Sequence, residues 1–333
     1  MQARDPLLVM DARPLALAAC ATLASAAIGL ASALAQERAA PLRLVVAGAA
    51  GSPPDALARI LGEHLGAAGR PVVVDDRPGA GGALAIGAVA RATPDGHTLA
   101  IVGLRQLVAP APRSASVPDN LPALAPVTQL VWTANVLVVS AASPLRSAAE
   151  LVAQARSRPG AWSYASAGNG TASHVAAELF KHSARIDVQH VPFKGIPSAL
   201  TALIGGQVQY AFAGVAAALP MIQSGKLRAL GTAGGARLPA LPEVPTLIEL
   251  GFTDVRLNER FGVAAPAATP PAVITALARE FARVIALPQT RARLEQLGLY
   301  PVAESGPDAL DATLQHEAQR WRWIVRELGI RAQ

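Results

Sequence analysis

The sequence predicts a two-domain α/β protein with a cleft between the domains, and three observations predict it. The chain has 333 residues, enough for two domains that each bury a core. From Pro41 onward short apolar runs alternate with amphipathic stretches, the pattern of parallel βαβ units. That alternation breaks once and then resumes, so two such units follow each other.

The first unit reads as a strand over 42–47, a helix over 55–65 with Leu57, Leu61 and Leu65 on one face, a strand over 72–75, a helix over 83–92 and a strand over 98–102. Residues 104–126 are rich in proline and poor in periodicity, and they read as a long surface connection. Alternation resumes with strands over 136–139, 163–165, 188–191 and 208–212, interleaved with helices over 148–156, 172–183, 198–204 and 216–223. A short strand over 261–266 can return the chain to the first unit. Helices over 272–287 and 308–328, joined through 288–297, complete it. Crossings near Val136 and Phe261 divide the chain into a discontinuous first domain, 36–135 plus 261–333, and a second domain, 136–260.

Three helix starts fit a capping box, with serine as N-cap and a carboxylate three residues on: Ser52 to Asp55, Ser147 to Glu150 and Ser305 to Asp308. Capping explains the position of Asp55 without assigning it chemistry.

After Arg13, residues 14–35 carry no charge and end in Ala33-Leu34-Ala35, so residues 1–35 read as a signal peptide and the mature chain begins at Gln36. Leu17-Ala18-Ala19-Cys20 offers a lipoprotein cleavage box as an alternative, and a retained anchor is a third reading. Cys20 is the single cysteine, so a chain cut after Ala35 has no disulfide, thiolate chemistry or cysteine-bound metal. The net charge of +6 comes from scattered basic residues without aromatic interleaving, which suits a small anion and not nucleic acid.

Catalytic patterns fail in turn. The six histidines form no metal-binding spacing, Tyr164-Ala165-Ser166-Ala167-Gly168 lacks the first glycine of a nucleophile elbow, and no P-loop occurs. Leu84 replaces the last glycine of a dinucleotide fingerprint after Gly79-Ala80-Gly81-Gly82. The sequence therefore predicts no metal or cofactor and a binding protein in place of an enzyme, a periplasmic hydrolase or isomerase using Asp55 and His97 being the alternative.

Two small-residue turns remain, each between a strand and a helix. Ala49, Ala50, Gly51 and Ser52 form one; Ser166, Gly168, Asn169, Gly170 and Thr171 form the other. Such turns let backbone N–H groups and a helix N-terminus face a carboxylate closely, although ordinary βα loops have the same composition.

Seven strings in order resemble the substrate-binding proteins of tripartite tricarboxylate transporters, the Bug family. They are Asp76-Arg77-Pro78-Gly79-Ala80-Gly81-Gly82, Pro94-Asp95-Gly96-His97-Thr98-Leu99, the stretch 163–171, His190-Val191-Pro192-Phe193-Lys194-Gly195, Gly205-Gly206-Gln207-Val208, Gly225-Lys226-Leu227-Arg228-Ala229-Leu230 and Leu241-Pro242-Glu243-Val244-Pro245-Thr246. The resemblance implies a type II-like periplasmic-binding-protein clamshell with a central ligand cleft, in which the turns near Gly51 and Asn169 grip a small organic carboxylate. It implies a monomer serving the membrane permease subunits of a tripartite transporter, or a sensor docking on a signalling partner. Ala49 and Ala50 depart from the family's first turn. Gln209 and Ala213 stand where an aspartate is common, Leu104-Arg105-Gln106 where small polar residues are usual, and Arg260 at an aromatic position. Arg105 and Arg260 are candidates for a distal anionic group, surface solvation being the alternative. With no carboxylate at 209 or 213, a simple amino acid is not expected as ligand.

Overall fold

A computed structural model of the chain describes residues 41–79, 82–108 and 124–329. The signal-peptide segment with Cys20, and the Ala80-Gly81 pair, lie outside the described residues.

The first unit contains β1 (Leu42–Val46), α1 (Pro53–Ala67), β2 (Val72–Asp76), α2 (Ala83–Ala90) and β3 (Thr98–Gly103). β1 pairs in parallel with β2 on one side and β3 on the other. β1 and β3 are almost wholly apolar because both of their faces are covered. Leu42, Leu44, Val46, Leu99 and Ile101 pack with Leu57, Leu61 and Leu65 of α1, while Val45, Ala100 and Val102 pack with Ala85 and Val89 of α2.

The range 104–126 is not one surface connection. It begins with a short helix, α3 (Leu104–Val108), and by Leu124 the strand β4 (Leu124–Ser140) has started. Pro126 hides that strand from a sequence reading, yet it sits at a register shift between Pro126 and Thr128, where an irregular ladder tolerates a missing N–H.

The second unit adds α4 (Ala148–Ser157), β5 (Ser163–Ser166), α5 (Ala172–Ala184), β6 (Gln189–Pro192), α6 (Ile196–Ile204), β7 (Tyr210–Gly214), α7 (Val215–Gln223) and β8 (Leu227–Thr232). β5 lies parallel to β6 and β7, and its helices cover both sheet faces. Ser147 caps α4 as expected: its Oγ accepts the Glu150 N–H at 3.1 Å, and Glu150 Oε2 accepts the Arg146 N–H at 2.7 Å.

The chain returns through β9 (Asn258–Pro266), antiparallel to β3, and ends in α8 (Pro271–Ala286), α9 (Pro288–Gln296), β10 (Tyr300–Pro301) and α10 (Pro307–Leu328). The joining segment 288–297 is thus mostly helical, with a proline start that its weak apolar pattern does not reveal. Ser305 caps nothing, because α10 begins after Gly306 with no side-chain cap.

The strands form one curled sheet in the order β2-β1-β3-β9-β4-β7-β5-β6, with β8 and β10 also paired to β4. β4 is 17 residues long and belongs to both units. Its stretch 124–134 pairs with β9, and 135–140 pairs with β7 and β8. The result is a two-domain clamshell whose halves are linked by β4 and by the segment entering β9. The far end of α10 spans the same junction, burying Trp321 and Ile324 in the core around Leu137 and Phe180.

Candidate ligand-binding site

A cavity of about 230 Å³ opens where the two units meet. It is lined by the end of β1 and start of α1, the β3–α3 junction, Ala172 at the start of α5, the start of β9, and Glu317 of α10. Of the residues singled out in the sequence, Ser52, Arg105 and Arg260 line it.

The first turn is organised by Asp55 from within α1. Its Oδ2 accepts the Gly51 N–H at 2.7 Å and its Oδ1 lies 2.7 Å from Arg59 Nε, while Arg59 also reaches Asp76 at 3.1 Å. Burial raises the Asp76 pKa, and the neighbouring Asp55 charge adds to the effect. Gly51 adopts φ +78°, the left-handed region that suits glycine, and turns its N–H back to the Asp55 carboxylate. Ala49, Ala50 and Gly51 are exposed and do not line the cavity, and the Gly51 N–H is already engaged. The helix start offers few backbone donors, since Pro53 and Pro54 have no N–H. Ser52 does not cap α1; its Oγ is buried without a partner among the described residues and lines the cavity.

The second turn is tied up internally. Gly168, at φ +123°, donates its N–H to Ser166 Oγ at 3.1 Å, and its carbonyl accepts Thr171 Oγ1 at 2.7 Å. The Gly170 N–H reaches His174 Nδ1 at 3.0 Å, and Thr171 caps α5 by accepting the His174 N–H. Ser166 is fully buried and lies 2.6 Å from His190 Nε2. Beneath the turn the His174 and His190 rings stack at 4.2 Å, with Tyr164 stacked on His190 at 4.9 Å and hydrogen-bonded to Glu178 at 2.6 Å. Burial lowers both histidine pKa values, His190 to about 4, with the His174 charge a further cause. Asn169 is exposed at the tip, and the turn meets the cavity through the neighbouring Ala172.

Charge is concentrated on the opposite wall. Arg105 lays its guanidinium over the Trp321 ring at 4.7 Å. Arg260 reaches Gln129 Oε1 at 3.5 Å, and Gln129 is fixed by Glu304 O at 2.8 Å and Thr313 at 3.2 Å. Burial lowers the Arg260 pKa, opposed by Glu317. Glu259 and Glu317 also line the cavity. Burial raises the pKa of both, against the pull of Arg105 on each.

These two glutamates carry no sequence signal and were not among the expected site residues. Gln209 and Ala213, where the family resemblance implies a cleft carboxylate, do not line the cavity: Ala213 is buried core, and Gln209 Oε1 accepts the Ser163 N–H at 2.7 Å. The absence of a carboxylate at those two positions therefore says nothing against an amino-acid ligand.

Residues 57–330 match the family described as tripartite tricarboxylate transporter family receptor. The chain is 35% identical over 296 residues to a protein from the tcbD–tcbE intergenic region of Pseudomonas sp. strain P51, covering 88% of this chain and 87% of that one. It is 33% identical over 298 residues to BugT of Bordetella pertussis, covering 87% and 89%. Among solved structures it resembles the periplasmic binding protein BugD (TM-score 0.76, 28% identity, 88% and 99% covered). It also resembles Rpa4515 of R. palustris with adipate (0.77, 28%, 87% and 98%) and MatC of Rhodopseudomonas palustris with bound malate (0.73, 32%, 86% and 98%).

Proposed function

The chain belongs to the tripartite tricarboxylate transporter receptor family, and we propose that it is an exported receptor that closes on a small organic carboxylate and delivers it to permease subunits of such a transporter. The family and its structural neighbours are binding proteins, not enzymes. The observation that carries the ligand class is the cavity itself: an unpartnered Ser52 hydroxyl and two arginines, Arg105 and Arg260, converge there beside the starts of α1 and α5. The Ser52 hydroxyl and the two guanidinium groups are donors for an anion with oxygen acceptors, set beside the acceptors Glu259 and Glu317. Relatives solved with adipate and malate support the same class. The cavity is lined from the first unit by the start of α1 and by α3 and β9, and from the second by Ala172 at the start of α5, so binding favours the closed clamshell.

Thermal unfolding of the mature protein against mono-, di- and tricarboxylates of three to six carbons tests the ligand class. At least one acid should raise the melting temperature in a saturable way and remain chemically unchanged. If none does, the carboxylate assignment fails. Export is tested by intact mass of the protein recovered from the periplasm, expected to begin at Gln36; a lipid-modified Cys20 terminus would replace that reading.

A further inference from the structure

The cavity wall holds two cations and two anions that do not neutralise one another directly. Arg105 stacks on Trp321 and Arg260 leans on Gln129. Among the described residues, neither the Glu259 nor the Glu317 carboxylate has a hydrogen bond or a close ion pair. Glu317 is surrounded at longer range by Arg105, Arg260 and Arg320, and Glu259 by Arg105. Ionised carboxylates at a buried wall accept hydrogen bonds and donate none, so each needs a donor to offset its desolvation. A plain dicarboxylate supplies none: its second carboxylate would gain from the arginines but meet both glutamates in a small enclosed space of about 230 Å³.

We infer that Glu259 and Glu317 are specificity determinants of this site, selecting a carboxylate ligand that also carries a hydroxyl or ammonium donor and discriminating against the unsubstituted dicarboxylate. The inference rests on the reading of the cavity as a carboxylate site and deepens it. The ligand carboxylate takes the donors of Ser52, Arg105 and Arg260, and the ligand's own donor takes the glutamates. An ammonium group satisfies both carboxylates and restores charge balance. A hydroxyl satisfies one. Both share the donor chemistry that the wall requires. The raised pKa values of the two glutamates add a second consequence: an unsubstituted diacid gains affinity as pH falls, because protonating a glutamate removes the repulsion.

The test is calorimetry at pH 7.5 with four-, five- and six-carbon dicarboxylates, each unsubstituted, 2-hydroxylated and 2-aminated, on the wild type and on Glu317→Gln and Glu259→Gln. The wild type should prefer a donor-bearing member over its unsubstituted counterpart by about tenfold or more, the scale of one charge-assisted hydrogen bond. At least one glutamine variant should reduce that ratio to about threefold or less, partly by tightening the unsubstituted acid. Equal or tighter binding of the unsubstituted acid by the wild type overturns the inference with no variant needed. So does an unchanged ratio in both folded variants. In either case the acids still bind and the carboxylate reading stands. Failure of every acid to bind overturns both.

Discussion

Acidification should destabilise this protein through the histidine pair beneath the second turn. His190 is neutral in the native state because burial and the nearby His174 lower its pKa to about 4, while Lys181 acts in the same direction and Glu178 opposes. Tyr164 and Ser166 face His190 from the sheet, with Tyr210 stacked behind Tyr164, and none of them is charged in this pH range. In the unfolded chain a histidine titrates near 6.5, so between about pH 6.5 and 4 the unfolded state binds more protons. Stability is therefore present in full above that window and falls as pH drops through it. A separation of roughly 2.5 pH units at about 1.4 kcal/mol per unit bounds the His190 contribution at about 3.5 kcal/mol, and partial solvent access brings the expected loss to about 1 to 3 kcal/mol. His174, also lowered, acts with the same sign. Urea unfolding at pH 7.0, 5.5 and 4.5 measures it on the wild type and on His190→Gln, which keeps a polar group near Ser166. The variant should lose less stability than the wild type between pH 7.0 and 4.5. Parallel pH profiles would refute the reasoning, since other acid-sensitive groups are common to both proteins.

Three further outcomes follow from the geometry. Ser147→Ala removes the cap on the Glu150 N–H and should cost about 1 kcal/mol in chemical denaturation, with ligand affinity unchanged because the cap lies outside the cavity. Arg105→Ala removes both a cavity cation and the stack on Trp321, so affinity for the best ligand should fall by about tenfold or more in calorimetry; retained affinity would assign Arg105 to structure alone. Small-angle scattering should show a smaller radius of gyration at ligand saturation than without ligand, and identical profiles would count against closure about β4 and the entry to β9.

Local physics makes much of the fold legible in the sequence. Strands such as Leu42–Val46 and Thr98–Gly103 are apolar runs, α1 carries its leucines at helical spacing, and Ser147 with Glu150 announces a helix start from four residues. Period and capping are properties of neighbours in sequence, so they survive without tertiary context. The start of β4 is not legible, because Pro126 looks like a breaker until a register shift accommodates it, and α9 is hidden because its sequence has almost no apolar stripe. The two small-residue turns are legible in kind but not in detail. Glycine and serine content marks Gly51 and Gly168 as tight turns, but only the folded chain directs their N–H groups to Asp55 and Ser166 and leaves Ser52 for the cavity.

The alternation of strands and helices, the two-unit organisation and the small-residue turns are each encoded within a few consecutive residues, and so they can be read from the chain without its partners in space. The charged wall is set by long-range contacts. Arg105, Glu259, Arg260 and Glu317 come from α3, β9 and α10, up to some two hundred positions apart, and no local pattern distinguishes them from solvated surface charges. Their meeting depends on β9 returning beside β3 and on α10 crossing the junction to bury Trp321, and both are consequences of burial between segments remote in sequence.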